Sequence, residues 1–233
     1  MVSFFIMSDH WREILYLPLG MIPSIFFTWR ILCQWLRAEK KMGSNVTPFF
    51  WKISLAGNLF LLLHYIIQVQ FPFAFFQCCN AVIAWRNLNL MKSRSPCSTK
   101  QTLTIALLSI ASLTLIFLLQ SSWLIGEIDW IRTPKKPFDA LRTYHTLGWH
   151  IFGSVGGFIF SSRFWVQWWL AEQSKRSELG RVFWILSIAG TAISLVYFAH
   201  IRDYVSLFYN CFALIPYMRN LVLLRKIKRV KLN

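Results

Sequence analysis

Residues 163–221 read RFWVQWWLAEQSKRSELGRVFWILSIAGTAISLVYFAHIRDYVSLFYNCFALIPYMRNL, and residues 30–88 read RILCQWLRAEKKMGSNVTPFFWKISLAGNLFLLLHYIIQVQFPFAFFQCCNAVIAWRNL. A shift of 133 positions lays one stretch on the other without a gap. Arg30 then meets Arg163, Gln34 meets Gln167, Trp35 meets Trp168 and Glu39 meets Glu172. Phe50-Trp51 meets Phe183-Trp184, Ser54 meets Ser187, Ala56-Gly57 meets Ala189-Gly190, and Arg86-Asn87-Leu88 meets Arg219-Asn220-Leu221. Unrelated apolar segments match at Leu and Phe, and seldom at Arg, Gln, Trp, Glu and Asn in one register. The chain is therefore an internal repeat, and every other reading has to fit two copies of one unit.

The 233 residues are 56% apolar and 17% aromatic, with only 15% charged. Residues 102–119, TLTIALLSIASLTLIFLL, hold 18 positions without a charge, and about 20 apolar residues cross a bilayer as helix. This excludes an ordinary soluble domain and predicts a polytopic membrane protein. The net charge of +16 then reports orientation and lipid headgroups, and no nucleic-acid partner is expected. Cys33, Cys78, Cys79, Cys97 and Cys211 show neither metal spacing nor a disulfide framework and read as small packing residues. The start, MVSFFIMSDHWRE, has no basic n-region, so no cleavable leader is expected.

In chain order the apolar runs predict spans near 14–38, 48–68, 72–90, 102–125, 143–171, 182–201 and 205–224. Pro18 and Pro23 should kink the first of them. Gly43-Ser44-Asn45 reads as a turn, Thr47-Pro48 as a helix start, and Phe71-Pro72 as a tight turn. The fold class expected is all-α, with seven transmembrane helices as two parallel three-helix repeats joined by a linker helix. The expected units are the first repeat (14–91), a linker with the fourth helix and an outer loop too polar to be buried (92–142), the second repeat (143–224) and a basic cytoplasmic tail (225–233). A single extra crossing between the repeats makes them parallel. Of the 25 Lys and Arg residues, fifteen fall beside one set of loops and ends and six beside the other. That bias predicts an outside N-terminus and a cytoplasmic C-terminus.

Four arginines fall inside spans. A charge near the centre of a bilayer costs about 2.5–3.5 kcal/mol or more, so Arg30, Arg163, Arg86 and Arg219 should face a polar cavity or a partner. Near the inner headgroups a guanidinium fork holds phosphate bidentately, or it snorkels to the interface. Gln34 and Gln167 follow Arg30 and Arg163 by four residues and share their helix face. Trp35 with Glu39, and Trp168 with Glu172, form a second stripe turned by about 100°. The first face should line a polar cleft; the second should sit at the interface, with glutamate pairing to a basic neighbour or remaining solvated. Asn87 and Asn220, with Asn58, Asn80 and Asn210, offer hydrogen bonds to a sugar or between helices. His64, His145, His150 and His200 form no metal pattern, and Gly153 with Gly157 should permit close helix packing. No catalytic residue, metal site or cofactor site is recognised.

At RFWVQWWLAE, RVFWILSIAG and MRNL, and at the earlier RILCQWLRAE, PFFWKISLAG and WRNL, the chain resembles the lipid A biosynthesis N-terminal domain family. That family is named from an extension ahead of the catalytic part of some lipid-A-disaccharide synthases. It is distantly similar to the SWEET and SemiSWEET sugar transporters, although this chain has no Pro-Gln dipeptide. The resemblance implies a place in lipid A assembly at the bacterial inner membrane. It supports a non-catalytic module that binds the phosphorylated headgroup of an acylated glucosamine lipid, with phosphate on Arg30, Arg86, Arg163 and Arg219. Sugar hydroxyls would fall to Gln34, Gln167, Asn87 and Asn220, with Trp35, Trp168, Glu39 and Glu172 nearby. The expected partners are membrane lipids, a glycosyltransferase acting beside the module or fused to it, and a second copy of the chain. The rival readings are a SWEET-like transporter or flippase and an architectural anchor for a partner enzyme.

Overall fold

The computed structural model describes residues 10–41, 46–92, 95–125, 128, 130–131, 146–174 and 178–230. Among them are seven long α-helices: α1 (His10–Lys41), α2 (Pro48–Ile67), α3 (Phe71–Lys92), α4 (Thr99–Gln120), α5 (Leu147–Ser174), α6 (Arg181–His200) and α7 (Tyr204–Val230). No strand occurs among the described residues; Gln70 and Ile131 form an isolated bridge. The turn expected at 43–45, His145, most of the outer loop and the side chains of Glu39 and the basic tail lie outside the described structure.

The helix ends follow local chemistry. Thr47 is extended (φ −97°, ψ 159°) ahead of Pro48, as expected, and its side chain makes no capping bond. Proline there gives up an N–H that has no helical partner. The start of α4 is a reciprocal box in which Gln101 N donates to Ser98 Oγ at 3.2 Å and Ser98 N donates to Gln101 Oε1 at 2.8 Å, satisfying two orphan donors. The continuous α-helix expected to 125 instead ends at Gln120 and passes into a π-helical turn, Ser121–Ile125. Trp130, in the loop expected to be too polar for burial, packs on Phe71 and Phe117 at 5.1 and 5.9 Å.

The turn expected at Phe71-Pro72 lies just before it. Val69 takes φ 57°, and Arg202, 133 positions later, takes φ 54°. Around each, the same bonds recur: Gln70 N to Tyr65 O and Asp203 N to Phe198 O, both 2.9 Å. Left-handed backbone costs a residue with a Cβ roughly 1–2 kcal/mol. Arg202 is exposed, and Val69 is fully buried in an apolar cluster with Ala74, Leu113 and Phe117. Arg202→Gly should therefore stabilise the protein by about 1 kcal/mol, whereas Val69→Gly should destabilise it, because burying a valine contributes about 1.5–3 kcal/mol. Reversible unfolding in mixed micelles reads both signs.

The packing is reciprocal. Within each half neighbouring helices pack in order, α1 on α2 on α3 and α5 on α6 on α7; between halves α1 packs on α7 and α3 on α5, while α4 packs on α3. Both halves feed one core of Phe50, Trp51, Phe164, Phe183, Trp184 and Tyr217. Trp51 meets Phe164 at 6.1 Å across the halves.

Five stretches are long and apolar enough to cross a membrane: Arg12–Arg37, Pro48–Ile67, Thr99–Trp123, Arg181–His200 and Ser206–Leu224. The other two helices, α3 and α5, fall short because they carry the polar residues of the seam, including Asn80, Arg86 and Asn87 on one and Ser161, Arg163 and Gln167 on the other.

Candidate functional site

The α1 sequence repeats an arginine, a glutamine four residues on, and apolar residues between. Such spacing sets Arg30 and Gln34 on one inward face, and α5 does the same with Arg163 and Gln167. All four are buried, Arg30 at 2% and Arg163 at 0% exposure. The two arginines line one polar cavity of about 90 Å³ between the halves, with Asn58, His64, Asn80 and Asn210 also on its wall. That volume holds several waters, each needing about 10–15 Å³ by this measure.

Each guanidinium is held by the same relay. Arg30 Nη1 donates to Ser54 Oγ, whose hydroxyl donates to Phe50 O at 2.6 Å. Arg163 Nη1 donates to Ser187 Oγ at 2.8 Å, whose hydroxyl donates to Phe183 O at 2.6 Å. All three members of the second relay lie 133 positions after those of the first. Aromatic faces supply the rest of the cradle. The Arg30 Cζ stands 4.4 Å from the Phe27 ring centre, and the Arg163 Cζ 3.6 Å from that of Phe160. Both cations also face Phe164, at 5.5 and 4.7 Å. Such contacts contribute about 0.5–2 kcal/mol each, and together they offset part of the several kcal/mol that burying an ion costs. Among the described residues neither arginine has a carboxylate partner, and Arg30 Nε, Arg163 Nε and Arg163 Nη2 are buried without a hydrogen bond. Two like charges sharing one ring, with unpaired N–H groups beside a polar cavity, have the chemistry that suits an anion.

The structure disposes of the other expected residues differently. Gln167 and Asn87 form a reciprocal amide pair across the halves, Asn87 Nδ2 to Gln167 Oε1 at 3.2 Å and Gln167 Nε2 to Asn87 Oδ1 at 3.1 Å. Asn87 Nδ2 also donates to Ile83 O, and Asn220 Nδ2 to Pro216 O, again a matched pair. Gln34 is buried, and Trp35 borders an apolar recess with Ile31 and Tyr217. Arg86 is away from the cavity. Its Nε and Nη2 reach Glu172 Oε1 at 2.8 and 2.7 Å, and its Nη1 donates to Asn89 Oδ1 at 3.2 Å and to Cys97 O. Trp168 Nε1 donates to the same Glu172 oxygen at 2.9 Å, so the second stripe does pair its glutamate with a basic neighbour, on the other half. Arg219 is half-buried and does not line the cavity. Of the histidines, His150 Nδ1 lies 2.9 Å from Tyr197 Oη, and His200 stacks on Trp149 at 3.7 Å.

Sequence reasoning passed over Tyr16, which lines the cavity and donates to Asp203 Oδ1, and Tyr209, which lines the cavity from α7. Ser54 and Ser187 were visible as a matched pair, and that match was the available signal for the relay.

The chain is similar to known proteins. The family described as Lipid A Biosynthesis N-terminal domain matches residues 19–89 and again 152–222, the same offset of 133. A protein of Chlamydia felis named lipid-A-disaccharide synthase is 35% identical over 95% of this chain and 35% of its own length. Proteins of the same name from Chlamydia pneumoniae and Chlamydia trachomatis serovar D are each 33% identical, over 91% and 88% of this chain and 34% and 33% of their own lengths. The chain thus spans about a third of the length of the curated relatives it matches. No solved structure matches it.

Proposed function

Because the chain belongs to the lipid A biosynthesis N-terminal domain family, which it carries twice, we propose that it is an inner-membrane module that binds the phosphorylated headgroup of an acyl-glucosamine lipid and presents it to a glycosyltransferase. The observation that carries the reading is the pair of carboxylate-free arginines, Arg30 and Arg163, on the wall of one buried polar cavity. A phosphate monoester supplies up to two negative charges and several acceptor oxygens, matching two cations with spare N–H groups. The partner transferase would be of the lipid-A-disaccharide synthase type, fused or separate, since that is the name the longer relatives carry.

The same reading takes all seven helices as membrane crossings, two parallel repeats joined by α4, with the N-terminus outside and the C-terminus cytoplasmic. Its supports are the five apolar spans, the matched turns at Val69 and Arg202, and the skew of Lys and Arg. In α3 and α5 the polar residues face the seam between helices, where a polytopic protein tolerates them.

Native mass spectrometry of the full chain tests the proposal. A co-purifying phosphorylated glucosamine lipid should be retained by the wild type and reduced roughly tenfold or more in the Arg30→Gln, Arg163→Gln double variant. Equal retention in both, or in neither, would overturn it. The choice would then lie between sugar transport, read by flux into liposomes, and a plain anchor.

A further inference from the structure

We infer that the lipid reaches the cavity sideways from the bilayer, and keeps an acyl chain there, through one doorway between α1 and α7, the equivalent doorway between α3 and α5 being shut. The inference rests on the lipid-binding reading above and adds the route, the position of the chain and a stoichiometry of one lipid per molecule. Against the outside of α1 and α7 lies an apolar groove of about 630 Å³, walled by Met21, Ile25, Trp29, Phe208 and Phe212. Ser24 and Tyr209 border both this groove and the polar cavity that holds Arg30 and Arg163. A headgroup anion and a hydrocarbon chain joined to it therefore find adjoining sites of the right polarity, the anion inward and the chain outward. Four of the groove's large apolar side chains, Ile25, Trp29, Phe208 and Phe212, are more than half exposed, so a bound chain would remove apolar surface from contact with lipid tails only by replacing them with one held in place.

The repeat shows why only one side is open. Shifting by 133 positions turns Ser24 into Gly157, Ile25 into Phe158, and, in the reverse direction, Tyr209 into Phe76 and Ser206 into Phe73. A Cβ on Gly157 would stand 2.8 Å from the Phe76 ring and 3.4 Å from that of Phe73. The missing side chain thus lets two aromatic rings lie against α5. Phe76 also packs on Phe158 at 6.5 Å. A polar bond ties this side further, Ser161 Oγ to Asn80 Oδ1 at 2.8 Å. At the open side the residues equivalent to Ser161 and Asn80 are Thr28 and Ala213, and alanine has no side-chain acceptor to offer. Serine at 24 carries the Cβ that glycine lacks at 157, and Tyr209 is left between the cavity and the groove.

The test uses the full chain in micelles with a phosphatidic acid that carries a diazirine midway along one acyl chain, a phosphate monoester lipid. After irradiation and digestion, the label should map to α1 and α7 around Ile25, Phe208 and Phe212, and a diacylglycerol with the same diazirine chain should label them roughly tenfold less. Ser24→Phe, which fills the doorway, should lose the label to a similar extent, while Phe158→Trp on the shut side should keep it. Label that depends on Arg30 and Arg163 yet maps to Phe76 and Phe158, or equally to both sides, would overturn the doorway and leave the lipid-binding reading standing. Label in Ser24→Phe equal to wild type would also overturn it. Label unaffected by Arg30→Gln with Arg163→Gln would overturn the lipid-binding reading and the doorway with it. The wild-type map decides even where Ser24→Phe fails to fold.

Discussion

Glu172→Ala should destabilise the protein by about 3 kcal/mol, at the lower end of the 3–5 kcal/mol seen when one partner of a buried ion pair is removed. The Arg86 side chain is 3% exposed and that of Glu172 is 15% exposed. Deleting the carboxylate leaves a guanidinium shut away from water with Asn89 and the Cys97 carbonyl as its acceptors among the described residues. It also strips the acceptor from the Trp168 indole N–H. Keeping those two acceptors on Arg86 is what holds the expected loss near the lower bound. Replacing both partners, Arg86→Met with Glu172→Leu, should recover most of the loss, since a matched apolar pair leaves no stranded charge. Unfolding of both variants beside the wild type in mixed micelles, read by tryptophan fluorescence, checks the loss and its recovery. A Glu172→Ala protein within 0.5 kcal/mol of wild type, the usual range for a surface change, would show that water reaches the pair.

Gly190→Ala should be the most damaging single-methyl addition, at about 3 kcal/mol, the top of the range for overpacking. Its Cβ would fall 2.5 Å from Phe160 N and 2.7 Å from Phe160 Cα. Those are backbone atoms of the neighbouring helix, which cannot turn aside, so α5 and α6 must separate. Gly57, its counterpart in the first half, offers a control of unusual closeness. There the three atoms nearest the added Cβ all belong to the Phe27 ring, the first 2.5 Å away, and a ring can rotate. Gly57→Ala should therefore cost about 1 kcal/mol. Equal losses at the two positions would mean that helix separation is not what limits Gly190.

The repeat was legible because its identities fall on Arg, Gln, Trp and Glu, residues that apolar segments do not share by chance. From that came the Arg/Gln face, expected to line a polar cleft; all four residues are buried, but the cavity wall holds Arg30 and Arg163 and neither glutamine. Trp168 and Glu172, four apart on a helix, share a face as expected and hydrogen-bond to each other, while the sequence left open whether that glutamate pairs with a basic residue or stays solvated. What was not legible is which helices meet. Arg86 looked equivalent to Arg30 as an intramembrane cation, yet Glu172 reaches it from the opposite half, 86 positions away, and no local pattern encodes that approach. Gly153 and Gly157 were expected to act together in close packing. They face different neighbours, Tyr197 of α6 and Phe76 of α3, because they sit about 6 Å apart along α5 where two other helices pack against it. The turn before α3 was placed at its proline, whereas the reversal is set by the left-handed Val69 upstream, a conformation valine's own preferences argue against.

The reciprocal packing of α1 on α7 and α3 on α5 has the form of an isologous dimer interface, in which patch i of one subunit meets patch j of the other and j meets i. In a true homodimer any substitution is imposed twice, so opening one doorway opens both, and a cation added to one wall is added to both. Covalent joining of the halves removes that constraint. Serine can then stand at 24 while glycine stands at 157, and symmetry survives where it is useful, in the arginine relays, while being discarded where one opening suffices. A tandem chain can hold a pair of identical cations around a single ligand that has no symmetry of its own.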